Sequence, residues 1–260
     1  MQFWSELATE TDSGFLRLDL KRAREVQMTF IPQNPPLIPG LQCQAFYKPA
    51  HTLGGDYYDF FQVSSGQWGL AIGDVSGKGI GAALVMANLQ ASIRAQAQQM
   101  HSNPAIAMRR VNQLVHESSP IHFYASLFYA EYDPATRTLS YVNAGHNPPI
   151  VVRCQSGRSK VFRLEPDSTP IGLFEDSSYK SVTFQLEAED ILVACTDGIT
   201  ETEGQDGELW GQRRLEDLLS TCARRAPGQV VESIVREVSA FGMGCAPKDD
   251  ITLLVLQVQP

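Results

Sequence analysis

The sequence predicts an α+β layered domain, on three observations. Strand-like apolar runs come in groups and helix-like stretches come in groups of their own, instead of alternating one for one. The turn signals between neighbouring runs are short (Ser64-Ser65-Gly66, Asp133-Pro134, Gln155-Ser156-Gly157), which suits hairpins and meanders better than parallel crossovers. The chain of 260 residues is 43% hydrophobic and 19% charged, ordinary globular usage. That length suits one domain, or one with a small appendage, and needs no disulfide or metal staple to bury its core.

Taken in order, residues before about Phe15 read as polar and irregular. From 15 to 30 apolar residues recur at Leu16, Leu20, Ala23, Val26 and Phe30, at spacings of 4, 3, 3 and 4, one stripe of an amphipathic helix. Four prolines between Ile31 and Gly40 then end the helix and form a stiff connector, placing a boundary near 32–39. The leading helix is expected outside the main core, packing on it or pairing with a second copy. Strands are predicted at 42–47, 57–63 and 68–74 by their apolar, β-branched and aromatic content. The glycine-rich turn at 77–81 opens a helix to about residue 100, and a second helix follows at 104–116. Six more strands are predicted at 123–132, 138–143, 150–153, 160–164, 181–186 and 191–196. Helices at 211–223 and 229–241 and an apolar strand at 251–258 close the chain.

Composition excludes several classes. The net charge of −8 repels phosphate backbones and anionic lipid, so neither nucleic acid nor membrane is expected as a partner. The five cysteines (Cys43, Cys154, Cys195, Cys222 and Cys245) are scattered, with no C-x-x-C pair, and read as free thiols in a reducing compartment. No basic-then-apolar leader opens the sequence, and the longest mostly apolar run, 80–89, is far short of the ~20 residues that span a bilayer. The chain is expected to be soluble and cytoplasmic.

Four aspartates share one placement, at a strand end or in the adjoining glycine-bearing turn. Asp56 follows Gly54-Gly55, and Asp74 follows the run Trp68-Gly-Leu-Ala-Ile-Gly73. Asp197 precedes Gly198, and Asp249 precedes Asp250-Ile251-Thr252. Any one of them alone is ordinary turn chemistry. Together, flanked by apolar strands, they are candidates to converge, and a carboxylate at the end of a buried strand needs a compensating cation. The histidines (His51, His101, His116, His122, His146) lack zinc-ligand spacing and the cysteines do not cluster, which disfavours zinc. An all-oxygen site of aspartates, carbonyls and water suits Mg²⁺ or Mn²⁺, and several aspartates at one spot call for two ions, a pair able to clamp a phosphoryl group.

Gly77-Lys78-Gly79-Ile80-Gly81-Ala82 imitates a dinucleotide fingerprint, but no Asp or Glu lies between Asp74 and Glu117 to hold a ribose. Nor is it a P-loop, because Lys78 is followed by Gly79 instead of Ser or Thr. The glycines are expected to make a tight turn that lets the helix N-terminus face a phosphate.

Five motifs now stand in order: Gly54-Gly-Asp-Tyr-Tyr-Asp-Phe60, Gly73-Asp-Val-Ser-Gly-Lys-Gly79, Asn143-Ala-Gly-His-Asn-Pro-Pro149, Thr196-Asp-Gly-Ile-Thr-Glu201 and Asp249-Asp-Ile-Thr252. With Ala23-Arg-Glu-Val-Gln-Met28 and Leu37-Ile-Pro-Gly40, they make the chain resemble the metal-dependent protein phosphatase (PPM, protein phosphatase 2C) superfamily, in its bacterial branch typified by the sporulation stage II protein E and RsbU. The resemblance runs from about residue 20 to the C-terminus. It implies an αββα sandwich, two antiparallel sheets flanked by helices, with a metal pair at one edge. It divides the chain into an N-terminal linker or regulatory helix, 1–34, and a PPM-type phosphatase domain, 35–260.

By the same resemblance Asp56 would bind one ion, Asp74 would bridge both, the backbone carbonyl of Val75 would complete one shell, and Asp197 and Asp249 would hold the other ion. These four aspartates form the implied catalytic set, with two or more Mn²⁺ or Mg²⁺ ions. Asp250 is expected behind the ligands, and Asp59 either orients a water on the metal or is an exposed loop carboxylate. Lys78 is a candidate phosphate contact or a solvated turn lysine. His146 is a candidate acid or a stabiliser of its own loop, and Cys195 is expected to be a core thiol. The implied activity is protein serine/threonine phosphatase, on a phosphorylated anti-sigma-factor antagonist. The alternatives are a catalytically inactive binding module and a small-molecule phosphoesterase. The leading helix would dimerise or link to a sensor domain or partner.

Overall fold

The computed structural model describes residues 2–100, 103–155, 158–222, 225–245 and 247–260, with side chains from residue 14 onward. The elements run α1 (Gln2–Phe30), β1 (Leu41–Lys48), β2 (Asp56–Ser64), β3 (Gln67–Val75), α2 (Ile80–Gln99), α3 (Pro104–Ser118), β4 (Ala125–Asp133), β5 (Thr138–Ala144), β6 (Ile150–Gln155), β7 (Arg158–Arg163), β8 (Val182–Gln185), β9 (Ile191–Cys195), α4 (Asp197–Thr200), α5 (Gly211–Cys222), α6 (Pro227–Phe241) and β10 (Ile251–Val258). One sheet has the order β1-β10-β9-β6-β7 and the other β2-β3-β4-β5-β8. Every pairing is antiparallel.

The strand period of two builds the layers. In β2, Tyr58 and Phe60 point between the sheets, where they meet Ile72, Phe128, Leu192 and Leu254. Tyr57, Phe61 and Val63 point the other way and pack under α2 and α3 with Met86, Leu89 and Met108. On the far sheet, Val193, Leu253 and Val255 turn outward to Leu215, Leu219 and Ile234 of α5 and α6. Helices, sheet, sheet, helices: the fold is the expected αββα sandwich.

All ten predicted strands form. The leading helix, however, starts at Gln2, not near Phe15. Phe3, Trp4, Leu7 and Ala8 stand at helical spacing in that stretch, ahead of the polar run 9–13 that made it read as irregular. Phe15, Leu16 and Val26 lie exposed on it, while Gln27 and Ile31 at its end are buried. The single turn α4 was not predicted, being too short to show a period. The predicted turn at 155–157 and the last residue of the predicted helix 211–223 fall at positions outside the described residues. Among the described residues no helix is long and apolar enough to cross a membrane.

Candidate active site

Asp56 and Asp74 stand directly opposite each other in the β2–β3 ladder. Both lie on the face of that sheet that looks toward the other sheet, at the end where β9 finishes and β10 begins. Asp56 is wholly buried, and its Oδ2 accepts hydrogen bonds from Thr196 Oγ1 at 2.8 Å and Thr252 Oγ1 at 2.5 Å. Thr196 directly follows β9 and Thr252 is the second residue of β10, so the second sheet reaches across to hold the carboxylate of the first. Thr252 in turn donates its backbone N–H to Thr196 Oγ1 at 3.0 Å, fixing the pair.

Two glycines allow this convergence. A Cβ on Gly55 would come within 2.7 Å of the Val75 carbonyl oxygen and 3.4 Å of Asp74 Oδ1, and one on Gly198 would sit 2.0 Å from the Asp250 carbonyl oxygen. The Val75 carbonyl therefore faces the Gly55 turn beside Asp74, while its side chain is buried in the core. Asp250 lies behind the turn as expected. Its Oδ2 accepts the backbone N–H of Gly55 at 2.7 Å and of Asp56 at 3.3 Å, and its Oδ1 accepts that of Ala50 at 2.8 Å.

Asp197 opens α4 and shares a cleft with Asp74, Ser76, Ser126 and His146. Asp249 lines the adjoining groove with Glu201, Glu203 and Lys248. Its Oδ2 takes the ammonium of Lys78 at 2.7 Å.

The carboxylates feel one another. Burial first, then Asp74, lifts Asp56 well above the ordinary carboxylate range, and the Thr252 and Thr196 hydroxyls offset part of that rise. Asp74 is raised to about 8 by burial, then by Asp197, Asp249 and Asp250. Asp197 is raised by burial and by Glu201 and Asp249. These aspartates, drawn from four separate stretches of chain, thus share one electrostatic neighbourhood.

The donor set fits hard divalent cations. Buried Asp56 has hydroxyl partners but no basic one, and half-buried Asp74 and Asp197 form no salt bridge among the described residues, with only the charge of Lys78 offsetting part of their mutual repulsion. Buried carboxylates without counter-charge are costly unless a cation joins them. The donors are all oxygen, suited to Mg²⁺ or Mn²⁺. Among the described residues no three Asp, Glu, His or Cys side chains form a ready-made metal cage. Carbonyls and waters would have to complete any shell.

Other candidates settle into place. Asp59 is neither beside the cleft nor exposed. It falls on the helix-facing side of β2, fully buried, where Arg94 of α2 grips it with two hydrogen bonds of 2.6 and 2.7 Å and Tyr57 adds one of 2.8 Å. His146 keeps its loop in shape. Its N–H donates to Asn143 Oδ1 at 2.8 Å and its Nδ1 meets Ser126 Oγ at 3.1 Å. Burial lowers its pKa to about 4, and its buried Nε2 has no hydrogen-bond partner among the described residues. Cys195 is buried and its thiol is pushed up to about 12, chiefly by burial, which fits a core thiol. The sequence reading assigned no role to Thr196, Thr252 or Gln27. Their signal was a polar side chain at the buried end of an apolar run. Gln27 is buried and bonds both ways with Gly54, donating to its carbonyl at 2.7 Å and accepting its N–H at 3.2 Å.

The profile of the family "Stage II sporulation protein E (SpoIIE)" matches residues 64–259. The chain is 26% identical to the protein IcfG of Synechocystis over 96% of its own length and 43% of that protein's. It is also 26% identical to the phosphoserine phosphatase RsbU of Bacillus subtilis, over 93% of its own length and 70% of RsbU. It thus spans less than half of IcfG. Among solved structures, the SiaA-PP2C domain of Pseudomonas aeruginosa superposes with a TM-score of 0.84 at 21% identity, covering 95% of this chain and 99% of that one. RsbX, solved in complex with magnesium, superposes at 0.60 with 17% identity, over 84% of this chain and 96% of that one.

Proposed function

Because the chain belongs to the stage II sporulation protein E family, we propose that it is a metal-dependent protein serine/threonine phosphatase. It hydrolyses phosphoserine or phosphothreonine on a regulatory protein of the anti-sigma-factor-antagonist kind, and it acts in the cytoplasm. One observation carries the reading. Buried Asp56 and half-buried Asp74 oppose each other in the β2–β3 ladder without a salt bridge among the described residues, next to a cleft that Asp197 also lines. The RsbU name and the magnesium-bound RsbX support both activity and cofactor.

In this reading Asp56, Asp74, Asp197, Asp249 and the Val75 carbonyl hold two or more Mn²⁺ or Mg²⁺ ions. When bound, such ions activate a water and neutralise charge on the phosphoryl group. The protein's own part is positioning. Thr196 and Thr252 fix the Asp56 carboxylate so that its other oxygen is free for a ligand. Asp250 fixes the turn that carries Asp56, and Gly55 keeps the Val75 carbonyl uncovered. No cysteine or serine nucleophile is required.

Residues 1–34 form the regulatory segment. Phe15, Leu16 and Val26 lie exposed on α1 and suit a second copy of that helix, so the chain acts as a homodimer or under a sensor or partner attached there. Light scattering of the chain with and without residues 1–34 tests this, and two identical monomers would remove the dimer.

The activity is tested by titrating Mn²⁺ into the chain with a phosphoserine-bearing antagonist protein and with nucleotides. Phosphate release is expected from the protein alone and only with metal. Release from nucleotides instead, or from neither, refutes the proposal.

A further inference from the structure

Lys78 lies in the turn between β3 and α2. Its ammonium reaches the segment before β10, where it donates to Asp249 Oδ2 at 2.7 Å and to the Lys248 carbonyl at 2.7 Å. The two side chains are 48% and 43% exposed, so the pair stands open to dissolved ions. Asp249 Oδ1 is also occupied, accepting the backbone N–H of Asp250 at 2.9 Å. Of the four aspartates assigned to metal, Asp249 alone has a basic partner among the described residues.

A hard dication seeks the same carboxylate oxygen that the ammonium holds. At such separations two cations repel strongly even with solvent nearby. Lysine and metal therefore compete for Asp249. The competition is strongest at Asp249, the one hydrogen-bonded to the ammonium; the Lys78 charge reaches Asp74 and Asp197 only through space, and Asp56 lies deeper.

We propose that Lys78 is the resident counter-ion of Asp249, displaced when a divalent ion binds there, and so sets the affinity of that ion. This rests on the phosphatase reading, because it takes Asp249 as a ligand. Without metal, Lys78 ties the 248–249 segment to the β3–α2 turn. With metal, the tie opens and leaves a free ammonium at the rim of the cleft. The ion held through Asp249 is accordingly the weaker one and the ion at Asp56 and Asp74 the tighter.

The test is Mn²⁺ binding to the full chain, followed by calorimetry and by the paramagnetic signal of free Mn²⁺. Lys78→Met should bind its weaker ion about tenfold tighter, the order expected for removing one nearby, partly screened charge, with the number of ions unchanged. Lys78→Arg should keep the original affinity, and Lys78→Gln serves if the methionine variant does not fold. On an Asp249→Asn background, Lys78→Met should add nothing. Unchanged or weaker binding in Lys78→Met, or tightening in Lys78→Arg as well, overturns the inference and leaves the phosphatase reading standing. A wild-type chain that binds no Mn²⁺ at all overturns both.

Discussion

Replacing Asp74 by Asn separates what the site does from what it costs the fold. Asp74 is raised to about 8 by burial and by Asp197, Asp249 and Asp250, against an ordinary value near 4. For an acid whose folded value is raised, the stabilising contribution is complete below the unfolded value and is lost as pH rises through the folded one. Metal-free protein therefore weakens as pH climbs from about 4 to 8, by up to 1.36 kcal/mol per pH unit for this single group. His146 acts with the opposite sign and lower down. Its folded value of about 4 lies below its unfolded value of 6.5, so its contribution is lost only as pH falls through that interval. Between pH 6.5 and pH 8 the carboxylate effect is read without that of His146, and Asp74 contributes a fall on the order of 1–2 kcal/mol.

Asparagine is neutral throughout and keeps nearly the same shape. Asp74→Asn should thus abolish phosphatase turnover while making the metal-free chain more stable at pH 8, with a ceiling of about 5 kcal/mol. The assay is urea unfolding in a chelator at pH 6.5 and pH 8, repeated with excess Mn²⁺. Wild type should lose stability toward pH 8 in the chelator and recover it with Mn²⁺. The variant should show a smaller fall, since Asp56 and Asp197 keep raised values of their own, and a smaller recovery with Mn²⁺. A variant less stable than wild type at pH 8 in the chelator, or one with wild-type turnover, would refute the reasoning.

Three further substitutions probe the supports. Arg94→Met leaves Asp59 buried and unpaired, and should cost about 3 kcal/mol by urea unfolding; the double variant with Asp59→Asn should recover part of it. Asp250→Ala removes the acceptor of three backbone N–H groups, so a loss of about 2–3 kcal/mol and weaker Mn²⁺ binding are expected by calorimetry. Gln27→Ala orphans both backbone groups of Gly54 and should cost about 1–3 kcal/mol, with a higher Mn²⁺ requirement in the phosphatase assay and no loss of fold by circular dichroism.

Much of the fold was legible because its signals are local. The alternation Tyr57/Tyr58 and Phe60/Phe61 marks a strand covered on both faces, and the glycine turns around it mark where it ends. What stayed hidden is set by partners distant in sequence. The carboxylate of Asp59 shares its motif with Asp56, yet the period of two puts the pair on opposite faces, because their odd separation of three residues reverses direction. One therefore meets the helix layer and Arg94, the other the second sheet and two threonines. No local pattern announces Arg94, which lies 35 residues away on α2. The N-terminal turns of α1 were missed for another reason, since their apolar stripe, Phe3, Trp4, Leu7 and Ala8, is short and is cut off from the next by the polar run 9–13.

The site shows the same division. Its aspartates could be picked out because each stands at an end of an apolar run, three of them beside a glycine, but their common neighbourhood depends on how two sheets stack. Stacking also explains why Thr196 and Thr252 matter. Buried opposite Asp74 with no basic side chain on it, Asp56 could ionise only at great cost; two hydroxyls from the other sheet soften that cost without supplying charge. The remainder of the deficit is left to a cation from solution. A lysine at that position would make the fold sturdier and leave nowhere for metal. At Asp249, on the exposed rim, a lysine does stand in, and there the cation can be exchanged. In the proposed reading, the gradient from deep, hydroxyl-held Asp56 to rim, lysine-held Asp249 would thus let a cation be held at one end of the site and exchanged at the other.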